Sequence, residues 1–361
     1  MWLILVVQEM TSSSLKSVSN KAVYRWLMLG CFLIALLVVI GGITRLTQSG
    51  LSMVKWEPIM GFLPPMSSES WNEAFELYKQ SPEFHYYNSN FDLSDFKQIF
   101  FWEYLHRLLA RVLGLVFIFP CVYFWIKQYF TKKLKRQVLL IFTLGTLQAI
   151  IGWFMVKSGL VDQPHVSHYR LATHLITALG LMTYIFWVAQ SIYERADDLN
   201  EKKPTGVIKI FIFFIFLQLA FGAFVAGLKG GLYYNTFPKM GSNWLPAGFG
   251  MIFEKEGVKS LTENPVIVQF VHRSIAYVLI IVLGIIWVKS RKANYSIRQM
   301  LRLKLMTAAV LFQFILGVVT LLFAVPVTLG VAHQAGAILL LLSAFYFLLS
   351  LKSKGQDLSA S

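Results

Sequence analysis

The sequence predicts an all-α polytopic membrane protein, with eight transmembrane helices arranged as two parallel-repeat four-helix bundles. Three observations carry that expectation. Of 361 residues only 14% are charged and 56% are hydrophobic, with a mean hydropathy of +0.60; a soluble domain carries roughly a quarter charged residues. Several apolar runs exceed the ~18 residues that mark a spanning helix. Lastly, the two halves of the chain repeat one another at chemically distinctive positions.

In chain order the spans read as 26–43, 101–126, 138–156, 171–192, 207–228, 266–288, 305–324 and 329–350. This divides the chain into a cytoplasmic N-terminal segment (1–25), a first bundle (26–192), a cytoplasmic linker (193–206), a second bundle (207–350) and a cytoplasmic tail (351–361). The long connection 44–100 is acidic, with Glu57, Glu69, Glu73, Glu76, Glu83, Asp92 and Asp95, and the connection 229–265 is rich in Gly, Pro and aromatics. Basic residues crowd the alternate connections. Lys127, Lys132, Lys133, Lys135 and Arg136 follow span two, Lys202, Lys203 and Lys209 follow span four, and Lys289, Arg291, Lys292, Arg298, Arg302 and Lys304 follow span six. The positive-inside rule makes these cytoplasmic, with both termini inside and both long loops outside. The same rule accounts for the net charge of +15, so the expected partner is membrane lipid and not nucleic acid. Trp2–Val7 is too short for a signal-peptide core and has no basic region before it, so no cleaved segment is expected. Cys31 and Cys121 both lie inside apolar runs, which excludes a disulfide framework or a thiolate metal site.

The repeat is specific. Glu103-Tyr104-Leu105-His106-Arg107 corresponds to Gln269-Phe270-Val271-His272-Arg273. Leu147-Gln148 with Gly152 corresponds to Phe312-Gln313 with Gly317, and Ala172-Thr173-His174 to Val331-Ala332-His333. Gly41 and Ser49-Gly50-Leu51 find weaker counterparts in Gly222 and Gly230-Gly231-Leu232. Each half holds an even number of spans, so both enter the membrane from one side and the repeat axis lies along the membrane normal. Two four-helix bundles follow.

Spans two, four, six and eight run from outside to inside, which sets His106, His174, His272 and His333 within about two turns of their outer ends. That makes two histidines per bundle at one depth. Intramembrane ionisable residues mark functional sites by default. Neutral imidazole tolerates low dielectric, and two imidazoles facing across a bundle suit haem iron, whereas zinc wants three or four ligands. Gly114, Gly152, Gly180, Gly222, Gly284, Gly317 and Gly336 would let a flat group approach the backbone, although helix packing in lipid accounts for most such glycines. Arg107 and Arg273 each follow a ligand candidate; partnership with a propionate and snorkelling to the interface both remain open. His165 and His168 read as solvated loop residues, and His85 carries no signal. One asymmetry suggests chemistry. Glu103 shares a helix face with His106, where the second half has Gln269. A carboxylate beside a haem edge can accept a proton or stabilise positive charge, so the first bundle reads as reactive and the second as holding a permanent haem. The competing reading sets Glu103 at the aqueous boundary, paired with Arg107 or Arg45.

As a set, Glu103-x-x-His106-Arg107, His272-Arg273, His174 and His333 resemble the heme A synthase family, over nearly the whole chain. The resemblance implies haem b as cofactor, held by His272 and His333, and heme O as substrate, held by His106 and His174, with Glu103 near the reacting methyl. It implies two successive hydroxylations of the heme O C8 methyl group, giving a geminal diol that loses water to the formyl group of heme A, for cytochrome oxidase. It also implies heme O synthase as a partner and an external electron donor such as ferredoxin, since no flavin, nicotinamide or Fe–S fingerprint is present; a homo-oligomer is left open. Residues 44–100 contain no cysteine, so the chain looks like the branch with a long first outer loop lacking the cysteine pair, and a bacterial plasma (inner) membrane is expected. Two other classes compete: a di-haem b-type electron-transfer cytochrome, and a haem carrier.

Overall fold

The computed structural model describes residues 2–54, 62–159, 166–193 and 205–351. Among the described residues twelve α-helices follow one another: α1 (Trp2–Leu46), α2 (Ser68–Lys79), α3 (Pro82–Tyr87), α4 (Leu93–Ile126), α5 (Lys132–Gly159), α6 (His168–Tyr193), α7 (Gly206–Gly227), α8 (Phe249–Glu256), α9 (Ser260–Glu263), α10 (Pro265–Lys292), α11 (Ile297–Leu322) and α12 (Val327–Ser350). Among the described residues eight of these, α1 from Asn20 together with α4, α5, α6, α7, α10, α11 and α12, are long and apolar enough to cross a membrane. They are the eight expected spans. The chain is an all-α, multi-pass membrane protein. In lipid every backbone polar group needs an internal partner, which helices supply. Around the perimeter Phe119, Leu139, Phe213, Ile281 and Ile315 are each more than 60% exposed, as side chains facing hydrocarbon can be.

Two boundaries differ from expectation. α1 runs unbroken from Trp2, with no Gly or Pro in the chain before Gly30, and the stretch long and apolar enough to span begins at Asn20. α4 begins at Leu93 and not near residue 101. Asp92 caps it in a reciprocal box with Asp95, and its first turns bury Phe96, Ile99 and Phe100 against Phe75 and Tyr78 of α2. Those turns belong to an aromatic cap built from the first long connection. The linker 194–204 and the tail from 352 lie outside the described residues.

Packing follows the repeat. In the first half α1 packs on α4 and α6, and α5 on α6; in the second half α7 packs on α10, and α12 on α11 and α7. The halves join through α1–α12 and α6–α7. Arg45, at the end of α1, donates to the carbonyls of Ala226 and Gly227 at 3.1 Å each, closing the C-terminus of α7. Gln334 of α12 donates to the Val38 carbonyl at 2.7 Å. A shared core including Leu27, Met182, Phe211, Leu303, Met306 and Phe347 fills the end that carries the basic connections. At the other end the consecutive helices α4 and α5 make little contact, and α10 barely touches α11. The loosest side of each half is therefore the gap between α4 and α5 or between α10 and α11, its slot.

Candidate functional site: four imidazole seats

The four histidines of the repeat occupy equivalent seats. Each ring lies edge-on against a glycine of the preceding span. A Cβ added at Gly41 would lie 3.1 Å from Cε1 of His106, and one at Gly222 would lie 3.2 Å from Cε1 of His272. At Gly152 and Gly317 the same atom would come to 2.8 Å from Cε1 of His174 and of His333. Carbon contacts settle at about 3.5–4.0 Å, so only a residue without Cβ accommodates the ring. By contrast, Gly114, Gly180 and Gly284 would meet nothing within 4 Å. The glycines thus separate into four that seat imidazoles and others that do not, a distinction the general packing expectation missed.

A glutamine one turn before the glycine holds the ring. Gln148 Nε2 lies 3.0 Å from His174 Nδ1 and donates to the carbonyl of His174 at 2.8 Å. Gln313 repeats this on His333, at 3.1 and 2.8 Å. Gln218 Nε2 is 3.2 Å from His272 Nε2, while Leu37 occupies the equivalent place beside His106. The seat is therefore Gln-x-x-x-Gly on α5, α7 and α11, and glycine alone on α1. Sequence comparison of the halves marked Gln148 and Gln313 but gave them no role; their fixed spacing from the glycine was the available signal.

His106 and His174 lie within electrostatic reach of each other, as do His272 and His333. The pairs flank the two slots. Nδ1 of His106 and of His272 is buried without a hydrogen-bond partner. On His174 and His333 the glutamine takes Nδ1. Buried polar atoms are rarely left unpaired, so the orphaned Nδ1 of His106 and of His272, each within reach of a second histidine, fits a group that imidazoles would hold. Among the described residues no group of three or more His, Cys, Asp or Glu gathers. His106 sits deeper in its helix than the expected two turns, because α4 extends into the outer cap.

Around the outer ends the halves share one arginine contact and differ at Glu103 and Gln269. Arg107 Nη2 donates to the Met53 carbonyl at 3.1 Å, and Arg273 Nη2 to the equivalent Tyr234 carbonyl at 2.9 Å. Arg273 also reaches the carbonyls of Thr236 and Lys239 at 2.7 and 3.3 Å. Both arginines therefore clasp the outer strap, and neither snorkels freely. Glu103 and Gln269 are 3% and 2% exposed, which places Glu103 away from the aqueous boundary. Glu103 Oε2 accepts from Ser52 Oγ at 2.7 Å and Met53 N–H at 2.9 Å, and its Oε1 pairs with Arg107. Gln269 instead donates to the Tyr234 carbonyl at 3.1 Å. Arg45 turns to α7 and not to Glu103. His168 is half-buried, its ring edge-on to Phe224 at 5.6 Å, packed where solvation was expected; His165 lies outside the described residues. In the cap, Glu83 is 6% exposed and meets the Tyr78 hydroxyl at 3.3 Å. Burial pushes its carboxyl up to about 8, with nearby Glu103 adding to the rise and Arg45 opposing it.

A duplicated helical membrane protein with paired, buried imidazoles in each half is the class these features define. Residues 24–345 match the family described as cytochrome oxidase assembly protein. The chain is 42% identical over 331 residues to the heme A synthase of Nitrosospira multiformis, covering 91% of this chain and 92% of that one. It is 43% identical over 333 residues to the heme A synthase of Flavobacterium psychrophilum, covering 91% and 98%, and 40% identical over 340 residues to that of Wolbachia pipientis wMel, covering 92% and 94%. The chain belongs to this family.

Proposed function

We propose that this chain is a heme A synthase that oxidises the C8 methyl group of heme O to a formyl group by successive hydroxylations. The relatives' shared name supports the reaction, and one observation supports a division of roles between the two slots. Each half seats both its imidazoles on glycines, but the buried carboxylate Glu103 stands only in the first, with Gln269 at the equivalent place in the second. In this reading His106 and His174 hold the substrate and His272 and His333 hold a resident haem b. Haem b, when bound, supplies one-electron redox chemistry. The chain's own contribution is orientation and charge. Gly41 and Gly152 fix where the two rings lie, Gln148 fixes the rotation of His174, and the aromatic cap of α2 and α4 keeps water from the outer mouth. Glu103, which accepts from Ser52 and the Met53 N–H and pairs with Arg107, is the group that would stabilise positive charge developing at the reacting methyl. The electron donor lies outside this chain, and the basic connections and both termini lie on the cytoplasmic side of a bacterial inner membrane.

The test is expression in a host that makes heme O and lacks its own converting enzyme, followed by extraction and separation of the haems. Wild type yields hydroxymethyl and formyl haem; Glu103→Gln retains haem b and yields neither. Unmodified haem from wild type, with intact bis-imidazole spectra, would favour the di-haem cytochrome instead.

A further inference from the structure

The two slots also differ at their sides. In the second half Tyr277 of α10 and Phe314 of α11 meet across the gap, with ring centroids 6.0 Å apart. Phe237, from the loop before α8, completes the triangle at 6.4 Å from Tyr277 and 6.0 Å from Phe314. This aromatic bridge ties together two helices that otherwise barely touch. The register that pairs His272 with His106 and Gln313 with Gln148 sets Arg111 in place of Tyr277 and Ala149 in place of Phe314. An exposed alanine cannot reach across from α5 to α4. Arg111 and Arg107 line a cavity of about 210 Å³ on the cap side of α4, with Ser52, Met53, Leu63 and, from α2, Ala74 and Leu77 around it. Arg111 lies over the Phe62 ring at 5.6 Å, which directs its guanidinium outward toward the cap.

We propose that this cavity docks a carboxylate arm of the substrate porphyrin on Arg111, and that the gap between α4 and α5 is the lateral mouth for substrate entry and product exit. The bridge of Phe237, Tyr277 and Phe314 closes the equivalent mouth and retains the second ligand. The inference rests on the proposed function, which needs one slot that turns over its occupant and one that does not. The chemistry agrees with it. Guanidinium groups recognise carboxylates in bidentate geometry and keep their charge when partly buried. A flat amphiphile with a hydrocarbon tail in the bilayer and carboxylates at one edge enters most directly from the side, tail in lipid and acid group toward the outer cap.

The experiment uses the full-length protein, loaded with haem b, in lipid nanodiscs. Heme O and its dimethyl ester are titrated by their Soret absorbance, and haem b loss to apomyoglobin is timed. Wild type binds the diacid at least tenfold more tightly than the diester; Arg111→Leu abolishes that difference and Arg111→Lys restores part of it, all with normal haem b content. Tyr277→Ala with Phe314→Ala speeds haem b loss at least tenfold. Equal binding of diacid and diester by wild type overturns the proposal, as does discrimination that survives Arg111→Leu. So does affinity that follows the anionic-lipid content of the nanodisc, which would assign the cavity to a lipid phosphate. Should Arg111→Leu fail to fold, the wild-type ester contrast still decides. Heme A formed without ester discrimination sinks only this inference, whereas discrimination without heme A sinks the proposed function.

Discussion

Gly317→Ala offers the sharpest test of the imidazole seat. The new methyl would lie 2.8 Å from Cε1 of His333, so about 0.7–1.2 Å must be recovered to reach ordinary carbon contact. The ring cannot simply slide, since Gln313 grips both its Nδ1, at 3.1 Å, and the carbonyl of the same residue, at 2.8 Å. Either that grip breaks or α11 and α12 part. Overpacking of this kind costs about 1–3 kcal/mol, and a released hydrogen bond adds about 0.5–1.5 kcal/mol. Axial ligation tolerates only about ±0.2 Å, so the cost falls on ligand retention. At 1.4 kcal/mol per decade, haem b affinity should drop by about one to three decades. The assay is the haem-to-protein ratio of the purified variant, with Gly284→Ala as control. No atom would lie within 4 Å of that methyl, and replacing a helical glycine there should be neutral or stabilising by up to about 1 kcal/mol. Full haem content in Gly317→Ala, or equal loss in both variants, would refute the seat.

Gln313→Leu should lower haem b retention about 10–100-fold, the usual consequence of losing the group that orients a ligating histidine, read from the same ratio; unchanged retention would show that Gln313 only packs. Glu103→Ala should destabilise the fold by about 3–5 kcal/mol, because it strands Arg107 in a buried position, whereas Glu103→Gln should cost much less; thermal unfolding of both separates the ion pair from the chemistry. Glu83 makes the outer cap sensitive to pH. Its folded pKa of about 8 lies above the unfolded value of 4.5, so the folded state binds the extra proton and the cap loses stability as pH rises between those values. The slope is at most about 1.4 kcal/mol per pH unit. Proteolysis of the cap should therefore accelerate toward about pH 8 in wild type, and Glu83→Gln should flatten the profile; a flat wild-type profile would contradict it.

The spans were legible because the bilayer demands about twenty consecutive apolar residues per helix, a signal that needs no tertiary information. Their ends were less so. α4 starts eight residues before the apolar run because Asp92 caps it and Phe96, Ile99 and Phe100 are covered by the aromatic cap of α2, a partner that hydropathy does not see. α1 reaches unbroken back to Trp2, with no Gly or Pro in the chain before Gly30. His106, His174, His272 and His333 were visible as repeated polar residues in apolar helices. The seats that hold them were not, since a glycine against an imidazole and a glycine against nothing read alike in sequence. Gly152 and Gly284 are separated by what faces them across the helix pair, which only the fold supplies.

Duplication makes the remaining differences interpretable, because each half is the other's control. What both halves keep is the hold on an imidazole: Gly41, Gly152, Gly222 and Gly317 against ring edges, and Arg107 and Arg273 on equivalent strap carbonyls. A change in those parts would have displaced the ligands, so their agreement argues for the same occupant chemistry in both slots. The exchanges lie around that framework, and they point one way. Glutamine for Glu103 removes the buried charge beside the slot, and Tyr277 with Phe314 for Arg111 and Ala149 seals its flank. Had the halves drifted without functional division, loss of charge and closure would have no reason to fall in the same half. Their coincidence is what the proposed division between a reacting half and a retaining half predicts.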